Sequence, residues 1–418
     1  MPSVAASPRR LRDVLLTASV AAAAMWSPPT LRAQTPVTRS EAVDAAVRQG
    51  TRLAVARADT AAAYAGLLAA RALQNPLLSV SYSKSVPTYH YFLDIPLDLP
   101  LQRSARVGSA RASRLAAQYR FAFERAASSL DADTTYTRAV AAREKARLSR
   151  RTAQDADTLR RIVVARRDAG DASDLDVELA TVSAGQVANT AAADSLAYIS
   201  AILDLQIVMG LAADRVAIVP VDSLTAPPRP DTALYAGLPQ TVAPLQVAAA
   251  QATVEATRLM ARLQRRSIFS TPSITAGFEQ GDPDTPGLLP TFGVSLPIPL
   301  LNRNRGAIMQ AQAEQARAQA ALTLAQVQSR TEITRTAREL ATSTAKVERD
   351  RLLIGSANRV AGMSLTAYRE GAASLANVLE AQRSAREVLA SYIDDVADAW
   401  IFAAELRVLM LTPGARLP

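Results

Sequence analysis

Gly170-Asp171-Ala172-Ser173 returns as Gly371-Ala372-Ala373-Ser374, an offset of 371 − 170 = 201. Val177 and Val378 keep that offset, and so do Met209 and Met410. Ahead of each Gly-x-x-Ser lies a long stretch without proline. Residues 101–168 contain only Gly108 as a breaker, and residues 302–370 only Gly306, Gly355 and Gly362. Ahead of each stretch come two short segments in which apolar and polar residues alternate. Each half therefore reads strand, strand, very long helix, sharp turn, helix. A duplication on this scale sets the architecture of the whole chain.

The alternating segments have a membrane character. Residues 77–85 place Leu78, Val80 and Tyr82 on one face and Ser79, Ser81 and Ser83 on the other. After a turn at Val86-Pro87-Thr88, residues 89–98 return with Tyr89, Tyr91, Leu93, Ile95 and Leu97 on one face. In the second half, residues 273–280 set Ile274, Ala276 and Phe278 against Ser273, Thr275, Gly277 and Glu279. Residues 291–298 return with Phe292, Val294, Leu296 and Ile298 aligned. About nine residues carry a tilted strand across a bilayer, and apolar-out, polar-in alternation is the outer-membrane barrel pattern. Hairpins of a soluble sheet share the alternation but rarely sit between helices this long.

At about 1.5 Å per residue each proline-free stretch spans ~100 Å as one helix. Seven-residue spacings, Leu115/Ala122/Ser129 and Ala311/Ala318/Ala325, predict close-packed seams. Residues 174–209 and 375–410 are expected to fold back antiparallel. Leu175, Leu179 and Val182 form one stripe, and Leu375, Val378, Leu379 and Gln382 its counterpart. A helix over 40–72 is expected to be capped by Ser40, and another begins near Pro244. Residues 212–243 read as a linker, with a short strand at Val216 to Val219 and Pro227, Pro228 and Pro230 beyond it. This is a waist element packed outside the long helices. The units are then a first repeat over 34–211, the linker over 212–243 and a second repeat over 244–412.

Residues 1–33 read as an export signal: Arg9, Arg10 and Arg12 precede an apolar run from Val14 to Ala24, and Leu31-Arg32-Ala33 precedes a plausible cleavage point. No other stretch approaches ~18 uninterrupted apolar residues, so no transmembrane helix is expected. The absence of cysteine excludes disulfides, thiol chemistry and a lipid-bearing N-terminal cysteine. The net charge of +9 is spread along the chain as a solvated surface, and no nucleic-acid partner is expected. His90 is the only histidine and reads as an aromatic-belt or loop residue. No metal site, phosphate loop or activated serine can be assembled, so neither a cofactor nor an enzyme is expected.

Four strands cannot close a barrel, and an open edge in lipid leaves backbone groups unsatisfied at several kcal/mol each. Two copies give eight strands, whose interior is filled by side chains. Three copies give twelve strands and room for a water-filled bore.

The run Gly293-Val294-Ser295-Leu296-Pro297-Ile298-Pro299-Leu300-Leu301-Asn302-Arg303-Asn304-Arg305-Gly306 resembles the strand-to-helix junction of TolC-like outer-membrane efflux proteins. Tyr368-x-x-Gly371-x-x-Ser374-x-x-Asn377-Val378-Leu379-Glu380-Ala381 resembles their periplasmic tip turn. The resemblance spans residues 38 to 412 and is nearest in look to the CzcC and CusC branch. It implies a mainly α fold with a membrane β-barrel: a homotrimeric 12-stranded barrel in the outer membrane, continued by a periplasmic α-helical barrel. It implies a passive exit duct for small toxic solutes, heavy-metal cations or drugs, working with a periplasmic adaptor and an inner-membrane transporter of the RND type. A duct for protein secretion, or a soluble periplasmic coiled-coil adaptor, are the alternatives. Family gates carry acidic residues just after the tip turn; the matching positions are Asn377 and Glu380, with Asp176 in the first repeat. Gly170, Ser173, Gly371 and Ser374 shape the tip turns that would dock the adaptor.

Overall fold

The computed structural model describes residues 35–211, 218–228, 243–268, 271–284 and 286–414. The expected signal at 1–33, and Val216 and Pro230 of the linker, lie outside the described residues.

The chain opens with β1 (Thr35–Val37), α1 (Arg39–Gln49) and α2 (Thr51–Arg71). The helix expected over 40–72 is therefore two, because the backbone at Gly50 leaves the helical region (ψ 127°). Its cap is Thr38, not Ser40. Thr38 accepts from the Glu41 N–H while the Glu41 carboxylate accepts from the Thr38 N–H, a reciprocal box.

The first repeat continues with β2 (Leu77–Tyr82), β3 (Tyr89–Pro96), α3 (Pro100–Asp168) and α4 (Asp174–Met209). After β4 (Ile218–Pro220), the second repeat follows as α5 (Leu245–Arg266), β5 (Ser273–Gln280), β6 (Leu289–Ser295), α6 (Arg305–Arg369) and α7 (Leu375–Leu409). Helix α3 is continuous over 69 residues and α6 over 65, so each runs ~100 Å. Several boundaries differ from the sequence expectation: β2 stops at Tyr82 rather than 85 and β3 at Pro96 rather than 98. Strand β6 starts at Leu289 rather than 291 and stops at Ser295 rather than 298, and α6 starts at Arg305 rather than 302. The reason for the later start of α6 is local: the Asn304 N–H bonds the Asn302 side-chain oxygen, and Asn304 sits in the left-handed region (φ 56°).

Four strands form one antiparallel sheet in the order β2-β3-β5-β6, with β2 and β6 at open edges. Register carries each apolar face into the next. Val80 pairs with Tyr91, Tyr91 with Phe278, Leu93 with Ala276, and Ala276 with Phe292. The Tyr91 and Phe278 rings stack at 4.8 Å. Gly277 is required here, since a Cβ would lie 2.2 Å from the Tyr91 carbonyl oxygen and 2.5 Å from the Phe92 ring.

The helices are packed largely through alanine. Ala126, Ala132, Ala139 and Ala146 of α3 are buried, because small side chains let two backbones approach over a long seam. Ala311, Ala318 and Ala325 are buried in α6 as expected. The corresponding expectation for α3 fails at Leu115, which is exposed; the seam runs through the alanines instead. The stripe on α4 also differs from its twin. Leu375 and Val378 are buried, whereas Leu175, Leu179 and Val182 are exposed. Helix α4 is moreover long and apolar enough to cross a membrane by length and composition, contrary to the sequence expectation. Thr181, Ser183, Gln186, Asn189 and Asp194 recur along it, so no single unbroken apolar run announces it.

A waist element lies against α3 near its middle. β1 and β4 pair in parallel, Thr35 with Ile218 and Val37 with Pro220. Tyr136 of α3 is fully buried beneath them; its hydroxyl donates to the Val37 carbonyl at 2.9 Å and accepts from the Asp222 N–H at 3.3 Å. Burial pushes this phenol up to about 12. Arg143 donates to the carbonyls of Pro220 and Asp222, and Trp400 donates its indole N–H to the Thr225 carbonyl at 2.6 Å.

Candidate functional site: wall, junction and helical tips

The face of the sheet opposite the apolar one is mostly polar, with Leu77, Phe92 and Leu289 among its residues by register. Ser79, Ser81, His90, Asp94, Thr275, Glu279 and Thr291 lie on it by register. The His90 Nδ1 lies 3.1 Å from the Glu279 carboxylate on the neighbouring strand, and the Thr275 hydroxyl donates to Asp94. His90 is thus neither a belt nor a loop residue. It is a strand residue on the polar side, held by a carboxylate. The four strands contain no lysine or arginine.

Below the sheet, the two repeats turn from strand into long helix by different means. In the first, Pro100 sits at the helix start, where its missing N–H costs nothing. Asp98 holds Arg106 at 2.8 Å and Arg103 at 3.5 Å. In the second, the expected junction residues Pro297, Pro299, Asn302, Arg303, Asn304, Arg305 and Gly306 occupy the connection and the first turn of α6. Among the described residues, Asn304 ties elements together: its amide donates to the Gln264 backbone carbonyl at 3.0 Å, joining α6 to the end of α5. A Cβ on Gly306 would meet nothing, so no close approach requires glycine there.

At the far end both long helices stop in the same way. The Gly170 N–H bonds the Arg167 carbonyl and the Asp171 N–H the Arg166 carbonyl; Gly371 and Ala372 repeat this with Tyr368 and Ala367. This is the paired closing of a helix C-terminus on a left-handed residue, and φ is +86° at Gly170 and +77° at Gly371. Ser173 and Ser374 then cap α4 and α7, accepting from the N–H groups of Asp176 and Asn377. Asp176 returns the bond to Ser173, completing a box; no such return bond runs from Asn377. Between the turns lies a small core of Leu159, Val163, Ala180, Tyr368, Leu375 and Val378. Arg166 donates to the Tyr368 carbonyl and stacks its guanidinium 4.7 Å from the Tyr368 ring. Burial raises the Tyr368 phenol above its ordinary value.

No protein-family model matches the sequence, and no curated protein matches it. Solved structures do match. The outer-membrane protein VceC of Vibrio cholerae superposes at TM-score 0.75 with 17% identity, covering 89% of this chain and 95% of that one. The outer-membrane channel CmeC of Campylobacter jejuni gives 0.73 and 14%, covering 89% and 85%. CusC, which forms a transmembrane channel, gives 0.73 and 16%, covering 89% and 91%. This is the TolC-like fold.

Within the TolC-like fold the residues expected at a gate are not gathered into one cluster. Asp176 and Asn377 are third residues of their helices and serve the caps. Glu380 stands one turn further on, exposed, with Arg383 at 3.3 Å; Arg383 also reaches Glu387 at 3.6 Å. Glu380 and Leu179, equivalent across the duplication, line one groove of about 540 Å³ between α4 and α7. Sequence reasoning missed the Arg166–Tyr368 stack and the His90–Glu279 pair. The second was within reach, since His90 and Glu279 both fall on the polar side of their strands. It also missed that Pro96 and Pro297 keep the 201-residue offset, which marks both junctions as copies.

Proposed function

We propose that this protein is the outer-membrane exit duct of a tripartite efflux pump, a homotrimer whose three sheets close a 12-stranded barrel. The observation that carries this reading is a sheet with one unbroken apolar face, one mostly polar face and two open edges, β2 and β6. Lipid tolerates the apolar face but not the edges, and joining β6 of one copy to β2 of the next removes every edge. Helix α4 supports the same assembly. Its Leu196, Ile199, Leu203 and Ile207 are exposed in the single chain and become buried if neighbouring copies pack along them. The duct is passive: a periplasmic adaptor docks at the tips formed by Gly170, Ser173, Gly371 and Ser374, and an RND-type transporter in the inner membrane supplies the energy. Asp94 and Glu279 on a polar face without lysine or arginine favour cations over anions, in keeping with small toxic cations, heavy metals among them.

The chain has no cysteine, so introduced pairs report without background. Cysteines placed one at a time along β6 from Phe292, in a chain carrying Val80→Cys in β2, are expected to give oxidised dimers and trimers at one register from a detergent-extracted sample. A chain that leaves the cell envelope without detergent as a single copy, with no cross-linked species at any register, refutes the reading.

A further inference from the structure

The strands end on a collar of arginine. Helix α2 finishes at Arg71, six residues before β2, and α3 carries Arg103, Arg106 and Arg111 near its start after β3. The corresponding ends in the second repeat carry Arg265, Arg266, Arg303 and Arg305. Asp98 occupies Arg106 and, more loosely, Arg103. Neither Arg71 nor Arg111 has a carboxylate within salt-bridge distance among the described residues. Arg71, Arg103 and Arg111 nevertheless converge on one open pocket of about 600 Å³, completed by Pro100, Ser104 and Val107.

Two features orient this pocket. On a helix, side chains lean toward its N-terminus; those of α3 lean toward the sheet and those of α2 away from it, so the two sets meet. The radial side follows from helical phase. Gln118, in the groove that continues the pocket along α2 and α3, precedes Tyr136 by 18 residues, five full turns at ~3.6 residues each. Tyr136 faces β1 and β4, and a bore cannot lie on the side that those strands fill. The pocket therefore opens outward, at the depth where a bilayer passes from hydrocarbon to head groups. Leu73, two residues beyond Arg71, and Leu101, next to Pro100, are exposed.

We propose that this pocket binds the phosphate of an anionic glycerophospholipid from the periplasmic leaflet, with Arg71, Arg103 and Arg111 as its ligands and Leu73 and Leu101 against its acyl chains. The proposal rests on the outer-membrane reading above. Each arginine near an anionic surface strengthens binding about fivefold, so removing two is expected to weaken it about 25-fold. The test uses the full chain in nanodiscs of phosphatidylcholine with and without phosphatidylglycerol. Native mass spectrometry reads the lipid retained, and the thermal midpoint reads stabilisation. The wild type is expected to keep phosphatidylglycerol selectively and to melt higher in its presence. Arg71→Gln with Arg111→Gln is expected to lose both effects, while Arg330→Gln with Arg338→Gln, far down α6, keeps both. Equal retention of the two lipids by the wild type overturns the proposal, as does unaltered retention in the Arg71/Arg111 double variant. Double-variant trimers with a shifted ion selectivity and unchanged lipid retention also overturn it, since the arginines then face the bore. A wild-type chain that enters no bilayer refutes the channel reading itself, an outcome distinct from insertion without lipid preference.

Discussion

Replacing Gly371 isolates the cost of one backbone conformation. Its φ of +77° lies in the left-handed region, and a Cβ built there meets no atom within 4 Å. Any penalty for Gly371→Ala is therefore conformational, about 1–2 kcal/mol. Spread over the cooperative melting of so long a chain this is a small change in midpoint, but it acts on a helix end that can open locally. One to two kcal/mol multiplies the open population about 5- to 30-fold. The amides to watch are Gly371 and Ala372, bonded to the carbonyls of Tyr368 and Ala367 at 3.1 and 2.8 Å. Hydrogen exchange at these two amides is expected to accelerate by that factor in Gly371→Ala, less in Gly371→Asn, which tolerates the left-handed region, and more in the β-branched Gly371→Val. Gly170→Ala should behave alike, having φ +86° and the same open space. In a working pump, drug or metal resistance should fall in the same order while trimers persist. Unchanged exchange in Gly371→Ala, or equal rates for Asn and Val, refutes the conformational account.

Glu380→Ala is expected to lower the cation-to-anion permeability ratio in planar bilayers and Arg383→Ala to raise it, because the two charges lie 3.3 Å apart and offset each other. Unchanged ratios in both remove this pair from the ion path. Asp398 has its carboxyl raised by burial and by Asp394 and Asp395 nearby. A raised acid destabilises the fold once ionised, so stability is fullest below the ordinary carboxylate range and is lost as pH rises through the folded value. Asp398→Asn should therefore raise the thermal midpoint at neutral pH, with the gain vanishing on acidification; a loss at neutral pH contradicts this. Tyr136→Phe removes the bond to Val37, whose carbonyl keeps the Val221 N–H at 3.1 Å. The expected cost is ~1 kcal/mol, read as faster exchange in β1 and β4, and an unaltered waist counts against it.

The duplication made the repeat order, the tip glycines and the serine caps legible, because turns and caps are local chemistry that a short motif specifies. Strand faces were equally plain, since alternation needs no partner to be seen. What the sequence hid depends on contacts between distant segments. Thr35–Val37 gives no strand signal on its own; it becomes one only by pairing with Ile218–Pro220. Likewise the seam of α3 could not be phased from Leu115, because alanine serves both buried and exposed positions and the choice is made by the neighbouring helix. The capping bonds between Asp176 and Ser173 are ones that the Ser-x-x-Asp spacing itself predicts, a role the sequence reading did not assign to Asp176.

The bare margins of β2 and β6 have a genetic corollary. If every working unit needs three sound subunits, a cell making normal and defective ones in equal amounts completes only about one faultless ring in eight. Alleles that spoil the seam without preventing export should then be dominant, whereas alleles that prevent the chain from folding should be silent beside a good copy.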